Sequence, residues 1–482
     1  MLTVLDLIII LLYFIVLAWM GYYFLKRQKN THDFFKGGRR IPWWAAGLSI
    51  FGTALSPITF IAIPAKTFSS DWSYFFLNIS IVLVAPIITG LFIPLYRKLE
   101  ITTAYEYLEK RFNKIIRLIG SISFLTFQIG RMGVVLFLPA IALNVVSSDI
   151  NIFVCITLMG TISLIYTLMG GIEAVIWTDV MQVIVLLGGA LLSLVLITLD
   201  TGDGVAGIVK TAIAEDKFNL FDLNWSLNQP TFWVILIGGF FANLTTYGTD
   251  QTIVQRYLVT KSRGEANKGV WTNALMSIPA TLIFFFLGTA LFVYFKTYPD
   301  ELNTNFVSND AIFPWYIISR LPGGVAGIMI AAIFAAAMSS LSSSMNAAAA
   351  TYTTDIHFRF KSTDEKNRLK ISRYATLIIG IFGILFALFM ATTEIKSLWD
   401  EFQRVLGLVI GSLGGVFLLG ILTKRANSQG VLLGILLSFS LQVVLGYLGT
   451  IHLVLFSASG VISCFVFGYV ASLFFKTKKT GP

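Results

Sequence analysis

The sequence predicts an all-α polytopic membrane protein, and composition is the first observation that does so. Of its 482 residues, 56% are hydrophobic and only 12% are charged, and the mean hydropathy is +0.80, which lies outside the range of soluble globular chains. Long apolar runs are the second observation, because about 20 apolar residues in a helix cross about 30 Å of hydrocarbon. The runs lack the alternation of barrel strands, so helices with internal backbone hydrogen bonds are predicted.

Thirteen runs are long enough to cross a bilayer, and we predict one transmembrane helix for each. The first run ends in KRQKN and lacks a basic start or a small-residue cleavage site, so we interpret it as a retained helix rather than a signal peptide. The predicted spans cover residues 4–25, 42–64, 74–95, 115–147, 151–169, 174–199, 232–249, 271–295, 322–354, 372–391, 400–422, 429–448 and 452–475.

The distribution of basic residues predicts the orientation. Of the 35 Lys and Arg residues, 27 lie in alternate loops, and the positive-inside rule places such loops in the cytoplasm. The N-terminus is therefore predicted outside and, after an odd number of spans, the C-terminus in the cytoplasm. The net charge of +10 reflects this topology, so no nucleic-acid partner is expected. The basic loops are 26–40, 97–117, 256–268, 359–373, 424–425 and the tail 476–479.

Several classes of function lack a motif in this sequence. Cys155 and Cys464 lie singly in apolar spans and imply no disulfide framework. His32, His357 and His452 lie near span ends without zinc-site spacing. The sequence contains neither a GxxxxGK phosphate loop nor a GxSxG elbow. ATP-driven pumping and serine hydrolysis are therefore not predicted.

The second predicted span, which contains SIFGTALSPITFIAIPAK, is expected to be a broken helix. Proline removes a backbone donor and clashes with the preceding turn, and the carbonyls that it exposes at membrane depth are tolerated where they line a cavity or bind a ligand. The carbonyls of Gly52 and Leu55 are therefore candidate cation ligands. A proline kink without a ligand is the alternative. The residues that carry this pattern are Gly52, Thr53, Ser56, Pro57, Thr59 and Pro64.

Arg131 is an intramembrane charge in the fourth predicted span. It follows Arg117 by fourteen residues, which corresponds to about 21 Å along a helix, so it lies near the bilayer centre. Charges at that depth are functional candidates by default, and a guanidinium matches a carboxylate through two parallel hydrogen bonds. A structural ion pair is the alternative.

Asp179, in YTLMGGIEAVIWTDVMQ, is the acidic residue inside the sixth predicted span. It lies about two turns from the predicted start of that span. It could provide the negative charge that hydroxyl groups need to hold a dehydrated cation. A solvated acid at the membrane interface is the alternative.

The seventh predicted span, FWVILIGGFFANLTTYGTDQ, is interrupted by glycines and polar residues. We expect a second broken helix here, five spans after the first. Two interrupted helices at corresponding places in two sets of five indicate a secondary transporter with inverted repeats and a binding site at the midplane.

The stretch AAAMSSLSSSMN, from Ala335 to Asn346, places five serines on one helical face. Successive helical residues turn by about 100°, so Ser339, Ser342 and Ser343 share an arc and Ser340 flanks it. Two clusters of oxygens could therefore share Ser339. Hydroxyl and carbonyl oxygens suit hard cations, and the scarcity of carboxylates favours a monovalent ion. Close packing of small residues between helices is the alternative.

Four segments carry a resemblance to a known family. GTALSPITFIAIPAKTFSSDW, YTLMGGIEAVIWTDVMQ, DQTIVQRY and IAAIFAAAMSSLSSSMN closely resemble the sodium/solute symporter family, and within it the bacterial sodium:sialic acid symporters. The similarity covers essentially the whole chain. The IPAKTFSSDW stretch together with Arg131 resembles the sialic acid branch in particular.

The resemblance implies a sodium-coupled symporter, not an enzyme, that imports sialic acid by alternating access across a bacterial inner membrane. The implied fold is a LeuT-like core of two inverted five-helix repeats. The implied division of the chain is residues 1–41 for an extra helix and the first cytoplasmic loop, 42–422 for the core with repeats at about 42–199 and 232–422, and 423–482 for two further helices and a basic tail. No obligate protein partner is implied.

The resemblance also implies two sodium sites and a substrate pocket. The first sodium site falls on the carbonyls of Gly52, Leu55 and Ala336 with the hydroxyls of Ser339 and Ser340. The second falls on Asp179, Ser339, Ser342 and Ser343. The pocket would use Arg131 for the substrate carboxylate, Ser56, Thr59 and Asn78 as hydrogen-bonding partners, and Tyr74 as an aromatic wall. The chain departs from the family pattern at Ala54, Pro57 and Asn78.

Two alternatives stay open at this stage. One is a sodium symporter for another small carboxylate, such as proline or an organic acid, because Arg131 would recognise only the carboxylate. The other is a sensor, channel or membrane enzyme. A sensor would carry a signalling domain after KTKKTGP, where we expect none, and we find no nucleophile and base pair in the predicted spans. For the symporter, charge arithmetic predicts two Na⁺ per substrate.

Overall fold

The computed structural model describes residues 2–146, 150–302, 309–393 and 410–475, and all regular elements within those ranges are helical. In the first half of the chain, the α-helices are α1 (Val4–Leu25), α2 (Thr31–Lys36), α3 (Trp43–Ala54), α4 (Ile63–Ser69), α5 (Phe75–Ile79), α6 (Ile81–Ile87), α7 (Ile93–Lys98), α8 (Glu106–Arg111), α9 (Lys114–Val146), α10 (Ile152–Asp200) and α11 (Gly204–Ala214).

The second half continues in the same way, and the numbering follows chain order. Its α-helices are α12 (Phe232–Thr249), α13 (Gln251–Leu258), α14 (Arg263–Thr297), α15 (Ile312–Arg320), α16 (Val325–Thr351), α17 (Phe358–Phe360), α18 (Glu365–Met390), α19 (Gly411–Leu422), α20 (Ser428–Leu448) and α21 (Leu455–Phe474). Short π-helical segments lie at Ile58–Ala62, Ile88–Phe92 and Tyr352–His357, and short 3₁₀ turns lie at Gly37–Arg39, Pro299–Glu301 and Asn309–Ala311.

Within these ranges, ten helical segments are long and apolar enough to cross a membrane, and the bent pair formed by α3 and the helix after it makes eleven. The polytopic all-helical prediction is therefore confirmed. The predicted spans 151–169 and 174–199 both fall in α10. The predicted span 400–422 begins outside the described residues, which hold only its end as α19. The total of thirteen therefore stays a prediction.

The long helix α10 folds back on itself at Gly171. Gly171 has φ +54° and ψ −152°, and a Cβ there would lie 2.7 Å from the carbonyl oxygen of Phe34, so the position requires glycine. Tyr166 and Gln182 would be about 24 Å apart along a straight helix, yet their side chains lie together. The two arms of α10 therefore correspond to two of the predicted spans.

The first predicted break is confirmed. Helix α3 ends at Ala54, and the helical segment Ile58–Ser69 continues at an angle of 63° to it. Leu55 has non-helical backbone angles, φ −83° and ψ 87°, and Pro57 has no backbone N–H to donate. The carbonyls one turn before the break, at Gly52 and Thr53, consequently lose their helical partners.

The second predicted break lies elsewhere than expected. Helix α12 runs without interruption through Gly238 and Gly239, where neighbouring backbone packs closely against both glycines, so the expected interruption by glycines is wrong. The chain leaves the helical conformation at Asp250, with φ −72° and ψ 120°, and α13 starts at the next residue. All eight residues of α13 are buried.

The serine-containing helix α16 lies at the centre of the bundle. It packs against α1, α3, α9, α10 and α18, and all its residues except Val325 and Ile328 are buried. Its N-terminus is fixed by Asp6 of α1, whose Oδ1 accepts hydrogen bonds of 2.7 Å from the backbone N–H groups of Gly324 and Gly327. A carboxylate suits this position because the helix dipole and the unpaired N–H groups favour negative charge.

Five of the six basic loops lie at one end of the molecule, as hydrogen bonds between them show. Residues 476–479, which form the sixth, fall outside the described part of the chain. This shared end is what the alternation of loops predicts, whereas its orientation relative to the cytoplasm stays a prediction. The connecting contacts are Thr31 to Glu365 (3.4 Å), Arg359 to Glu109 (2.8 Å), Arg97 to the Thr260 carbonyl (2.7 Å) and Arg111 to the Thr423 carbonyl (2.6 Å).

Candidate substrate and ion sites

One cavity lies beside the break after α3, between that break, α5, α9, α12 and α14. Four of the five residues predicted to bind substrate line it together: Ser56, Thr59, Asn78 and Arg131. Its other polar wall residues are Asn243, Thr246, Tyr247, Asp250, Asn273, Ser277 and Thr281, and its apolar wall includes Ala54, Leu55, Phe51, Phe127 and Phe284.

The structure places Tyr74, the predicted aromatic wall, outside the described lining of this cavity. Its hydroxyl lies 3.1 Å from Nε2 of His452, and the ammonium group of Lys66 lies 5.1 Å from the centre of its ring. The aromatic surface in the cavity comes instead from Phe51, Phe127, Tyr247 and Phe284.

Arg131 is held in the cavity wall by the broken helix. Its Nη2 donates a hydrogen bond of 2.9 Å to the carbonyl of Thr53, which is available because Pro57, four residues later, has no N–H. Its Nη1 lies 3.8 Å from Oδ2 of Asp250, which is too long for a hydrogen bond. The guanidinium is therefore positioned by the protein, and no hydrogen bond from Nη1 is found among the residues that the structure describes.

Asp250 is a cavity residue that sequence reasoning missed. It is 4% exposed. Its Oδ1 accepts hydrogen bonds from the backbone N–H (2.8 Å) and the hydroxyl (2.6 Å) of Thr252, and Asp250 thereby caps the N-terminus of α13. Its Oδ2 faces Arg131, so the two charges cancel within the cavity wall. An Asp followed two residues later by Thr is a signal for a helix N-terminus, but its pairing with Arg131 depends on the fold.

Several residues predicted to form the first ion site meet at the same break. Ser339 Oγ donates hydrogen bonds to the carbonyls of Gly52 (3.1 Å) and Ala336 (3.2 Å). Ser340 Oγ donates to the carbonyl of Thr53 at 3.3 Å. Oxygens at right angles around a hard cation lie about 3.4 Å apart when the bonds to it are about 2.4 Å long. The spacing of these oxygens, 3.1 to 3.3 Å, is compatible with such a ligand shell as well as with hydrogen bonds, and Leu55 lies at the break itself.

The Thr53 carbonyl connects the two sites. It accepts hydrogen bonds from Arg131 in the cavity wall and from Ser340 on α16. A single carbonyl, which has no helical partner because of Pro57, therefore contacts both Arg131, which is predicted to bind the substrate, and Ser340, which is predicted to bind an ion. Sequence reasoning named Gly52 and Leu55 as carbonyl ligands and did not identify this role of Thr53.

The predicted second ion site contains an arginine that the sequence analysis assigned to a loop. Arg256 Nη2 lies 2.8 Å from Asp179 Oδ2 and 2.5 Å from Ser343 Oγ. Arg256 is fully buried on α13, so its assignment to a cytoplasmic loop is wrong. Asp179 is also fully buried, which contradicts the alternative that it is a solvated acid at the interface.

Ser342 and Ser343, two further residues predicted for the second site, are buried on α16. Ser343 Oγ also lies 3.1 Å from Thr53 Oγ1, and Ser342 Oγ donates to the Ser339 carbonyl at 3.1 Å. Oδ2 of Asp179 accepts further from Ser49 at 2.5 Å. Its Oδ1 has no hydrogen-bond partner in the described ranges. A buried carboxylate oxygen in that situation is costly unless a donor or a cation satisfies it.

Comparisons by sequence and by structure find similarity to the same kind of protein. Residues 34–438 match the model of the sodium:solute symporter family. The sodium/sialic acid symporter NanT of Aliivibrio fischeri is 40% identical over 459 residues, which cover 95% of this chain and 90% of that protein. The sodium/sialic acid symporter SiaT of Proteus mirabilis is 38% identical over 470 residues, with coverage of 97% and 94%.

The solved structures include one with nearly the same backbone. It is the substrate-bound outward-open state of a Na⁺-coupled sialic acid symporter, which superimposes with a TM-score of 0.93 at 36% identity and covers 98% of each chain. The helical arrangement described above is therefore one that a solved transporter also adopts.

Proposed function

The chain belongs to the sodium:solute symporter family, and on that premise we propose that it couples inward Na⁺ movement to the import of sialic acid. It is a multi-pass membrane transporter rather than an enzyme, and we place it in a bacterial inner membrane. The observation that carries the proposal is the break after α3, where the same short backbone segment contacts Arg131 and the serines of α16.

In the proposed substrate site, Arg131 binds the carboxylate of the sugar acid. Its Nη1, from which no hydrogen bond is found within the described ranges, and its position in the cavity wall support this role. Ser56, Thr59 and Asn78 line the same cavity and would bind the polar groups of the sugar. The role of Tyr74 as an aromatic wall stays a prediction; its hydroxyl lies 3.1 Å from Nε2 of His452.

The first proposed Na⁺ site uses the carbonyls of Gly52, Leu55 and Ala336 with the hydroxyls of Ser339 and Ser340. The second uses Asp179, Ser339, Ser342 and Ser343, and it is supported by Oδ1 of the buried Asp179, which has no hydrogen-bond partner in the described part of the chain. Only oxygen atoms are offered in either set, which suits a hard monovalent cation.

We propose two Na⁺ ions per substrate, and the charges of the buried side chains show what the second ion would change. Arg131 with Asp250 and Arg256 with Asp179 each sum to zero. A monoanionic substrate therefore introduces an uncompensated negative charge, which one Na⁺ neutralises. A second Na⁺ makes the loaded carrier positive, so that its movement becomes sensitive to the membrane potential.

The proposed transport core comprises ten helices in two inverted LeuT-like repeats, at about 42–199 and 232–422, with the N-terminus outside and the C-terminus in the cytoplasm. The breaks at Leu55 and at Asp250 are five predicted spans apart, as inverted repeats require. Residues 1–41 would add one helix and residues 423–482 two. Alternating access would move one part of this core relative to the other around the central site.

Sodium-driven uptake is the first expected result. Purified protein in liposomes should accumulate labelled N-acetylneuraminate when an inward Na⁺ gradient is imposed, because the oxygen sites of α16 need a bound cation to hold the loaded state. Uptake should stay flat when K⁺ or a proton gradient replaces Na⁺. Unlabelled proline or a small organic acid should not compete. Uptake driven by protons alone would contradict the proposed ion sites, and competition by the small acids would favour the alternative carboxylate carrier.

Asp250→Asn is expected to tighten substrate binding. Asparagine caps helices as well as aspartate does, so α13 stays capped, while the carboxylate that competes for Arg131 is removed. We expect the Kd for sialic acid, measured by calorimetry in saturating Na⁺, to fall by up to about tenfold. Thr252→Val is the matched control, because it removes the hydroxyl that donates to Asp250 without changing the charge, and it should leave the Kd unchanged. Weaker binding in Asp250→Asn would show instead that Asp250 binds the sugar directly.

A further inference from the structure

Arg256 lies beside the proposed second Na⁺ site, and it contacts two of the residues that would bind the ion. Its Nη2 is within hydrogen-bonding distance of both Asp179 Oδ2 and Ser343 Oγ. Its Nε donates to Ser49 Oγ at 2.7 Å, and its Nη1 donates to the carbonyl of Thr252. With four partners, the guanidinium is fixed at the edge of the ion site.

The two oxygens of Asp179 are used differently. Oδ2 accepts hydrogen bonds from Arg256 and Ser49, whereas Oδ1 has no hydrogen-bond partner among the residues that the structure describes. An ion bound at Oδ1 and the guanidinium at Oδ2 would share one carboxylate group, within about 6 Å of each other in a buried environment. Their charges repel, and the single negative charge serves both.

We propose that Arg256 sets the affinity of the second Na⁺ site by sharing the charge of Asp179 and repelling the bound ion, so that the ion can leave into a compartment of low sodium. This inference rests on the proposed function. In the absence of the ion, Arg256 compensates the buried carboxylate, which would otherwise be an isolated charge that costs several kcal/mol. The empty carrier is thereby stabilised as well.

The position of Arg256 on α13 links this effect to the second helix break. Helix α13 starts immediately after Asp250, which lines the substrate cavity. The carbonyl of Thr252, in the first turn of α13, accepts a hydrogen bond from Arg256. Any shift of α13 relative to α10 and α16 changes the distance from Arg256 to Asp179. The affinity of the ion site therefore depends on where this half-helix lies.

Arg256→Gln tests the inference, because glutamine keeps hydrogen-bonding capacity and removes the charge. Removal of a charge within about 4 to 6 Å shifts an ionic equilibrium by about one to three powers of ten, so we expect the half-saturating Na⁺ concentration to fall by about tenfold or more. Turnover at saturating Na⁺ should fall with it, because the ion leaves more slowly. Loss of a structural contact alone would not raise the affinity for sodium.

Two control variants separate charge from packing. Arg256→Lys keeps the positive charge and should keep the half-saturating Na⁺ concentration close to that of the wild type. Arg117→Gln removes another buried arginine, which pairs with Asp355 at 2.6 Å outside both ion sites, and should leave the Na⁺ dependence unchanged. The Arg256→Gln variant should be purified in saturating Na⁺, so that a bound ion can compensate the Asp179 carboxylate in place of the arginine.

Stability gives a second measurement. Ligand binding stabilises the folded state by RT ln(1 + [L]/Kd), so Tm of Arg256→Gln should begin to rise at a lower Na⁺ concentration than that of the wild type. Folding of this variant only when Na⁺ is present would support the inference in the same way. Failure to fold even in saturating Na⁺ would overturn it, because Na⁺ could not then replace Arg256 at Asp179.

The outcomes distinguish this inference from the proposed function. A Hill coefficient of one for Na⁺ in the wild type, with uptake that carries no current, would remove the second site itself. Two-ion coupling in the wild type together with an unchanged or raised half-saturating Na⁺ concentration in Arg256→Gln would overturn only the role assigned to Arg256.

Discussion

Arg131→Ala is expected to abolish sialic acid binding while Na⁺ binding survives. Removal of one partner of a buried, hydrogen-bonded charge pair typically costs about 2 to 5 kcal/mol, which corresponds to a loss of at least thirtyfold in affinity. The oxygens of the proposed Na⁺ sites come from other residues, so the ion keeps its ligands. Calorimetric titration of the substrate in saturating Na⁺, with Na⁺ binding followed by the rise in Tm, measures both effects.

The substitution has a structural side effect that the experiment must separate. Arg131→Ala leaves Asp250 as a buried carboxylate without its cation, and breaking such a pair can destabilise a protein by about 3 to 5 kcal/mol. The double variant Arg131→Ala/Asp250→Asn removes both charges, so it should recover stability without recovering substrate binding. If either variant bound sialic acid with near wild-type affinity, Arg131 would be a structural residue that serves only to pair with Asp250.

The sequence was sufficient to locate the first broken helix and the serine face because both depend on local chemistry. Pro57 has no N–H in any fold, so the carbonyl of Thr53 had to lose its helical partner. The angular positions of Ser339, Ser340 and Ser343 on α16 follow from the helical repeat alone. Accordingly, Ser339 and Ser340 contact backbone carbonyls at the break, whereas Ser343 contacts the Thr53 side chain and Arg256.

The charge partners could not be derived in the same way because they are far apart in the chain. Arg256 meets Asp179 across 77 residues, and nothing in QTIVQRYL distinguishes a buried arginine from one in a loop. Glycine was also a poor guide to the second break. In α12, Gly238 and Gly239 serve close packing, and the helix ends where Asp250 caps α13.

The cavity and both proposed ion sites meet at the end of α3, which gives substrate and ion a common point of contact. Arg131 and Ser340 share the Thr53 carbonyl, and the Thr53 hydroxyl lies beside Ser343. A shift of this residue on ion binding would therefore move the ligands of the substrate as well. Obligatory coupling requires such differential contacts between two states, and the break provides a backbone segment that is not fixed by helical hydrogen bonds.

Asp179 is expected to determine whether transport is electrogenic. With one Na⁺ per monoanion, a tenfold Na⁺ gradient contributes only about 1.4 kcal/mol and the potential contributes nothing. With two, the gradient contributes about 2.8 kcal/mol, and one net charge moving through about 100 mV adds about 2.3 kcal/mol. The resulting 5.1 kcal/mol or so supports accumulation by roughly 5,000-fold, against about tenfold for one ion. A scavenger of dilute sugar benefits from the second ion.

Asp179→Asn should therefore lower the Hill coefficient for Na⁺ toward one and remove the dependence of uptake on potential. Asparagine is preferable to alanine, because it keeps the shape beside Arg256, whose buried charge either variant leaves without its carboxylate. The matched control is Asp355→Asn, since Asp355 is also fully buried and also pairs with an arginine, Arg117, but lies outside both sites. The control should lose stability without losing the second ion.

The measurement is uptake into liposomes under a potential set by potassium and valinomycin. Wild-type uptake and the Asp355→Asn control should rise when the interior is made negative, and Asp179→Asn should not respond. Because Asp179→Asn keeps the first site and Arg131, its residual uptake should still require Na⁺. Wild-type uptake that carries no current would refute two-ion coupling. Asp179 would then serve as the structural counter-ion that holds Arg256, and with it α13, against α10 and α16.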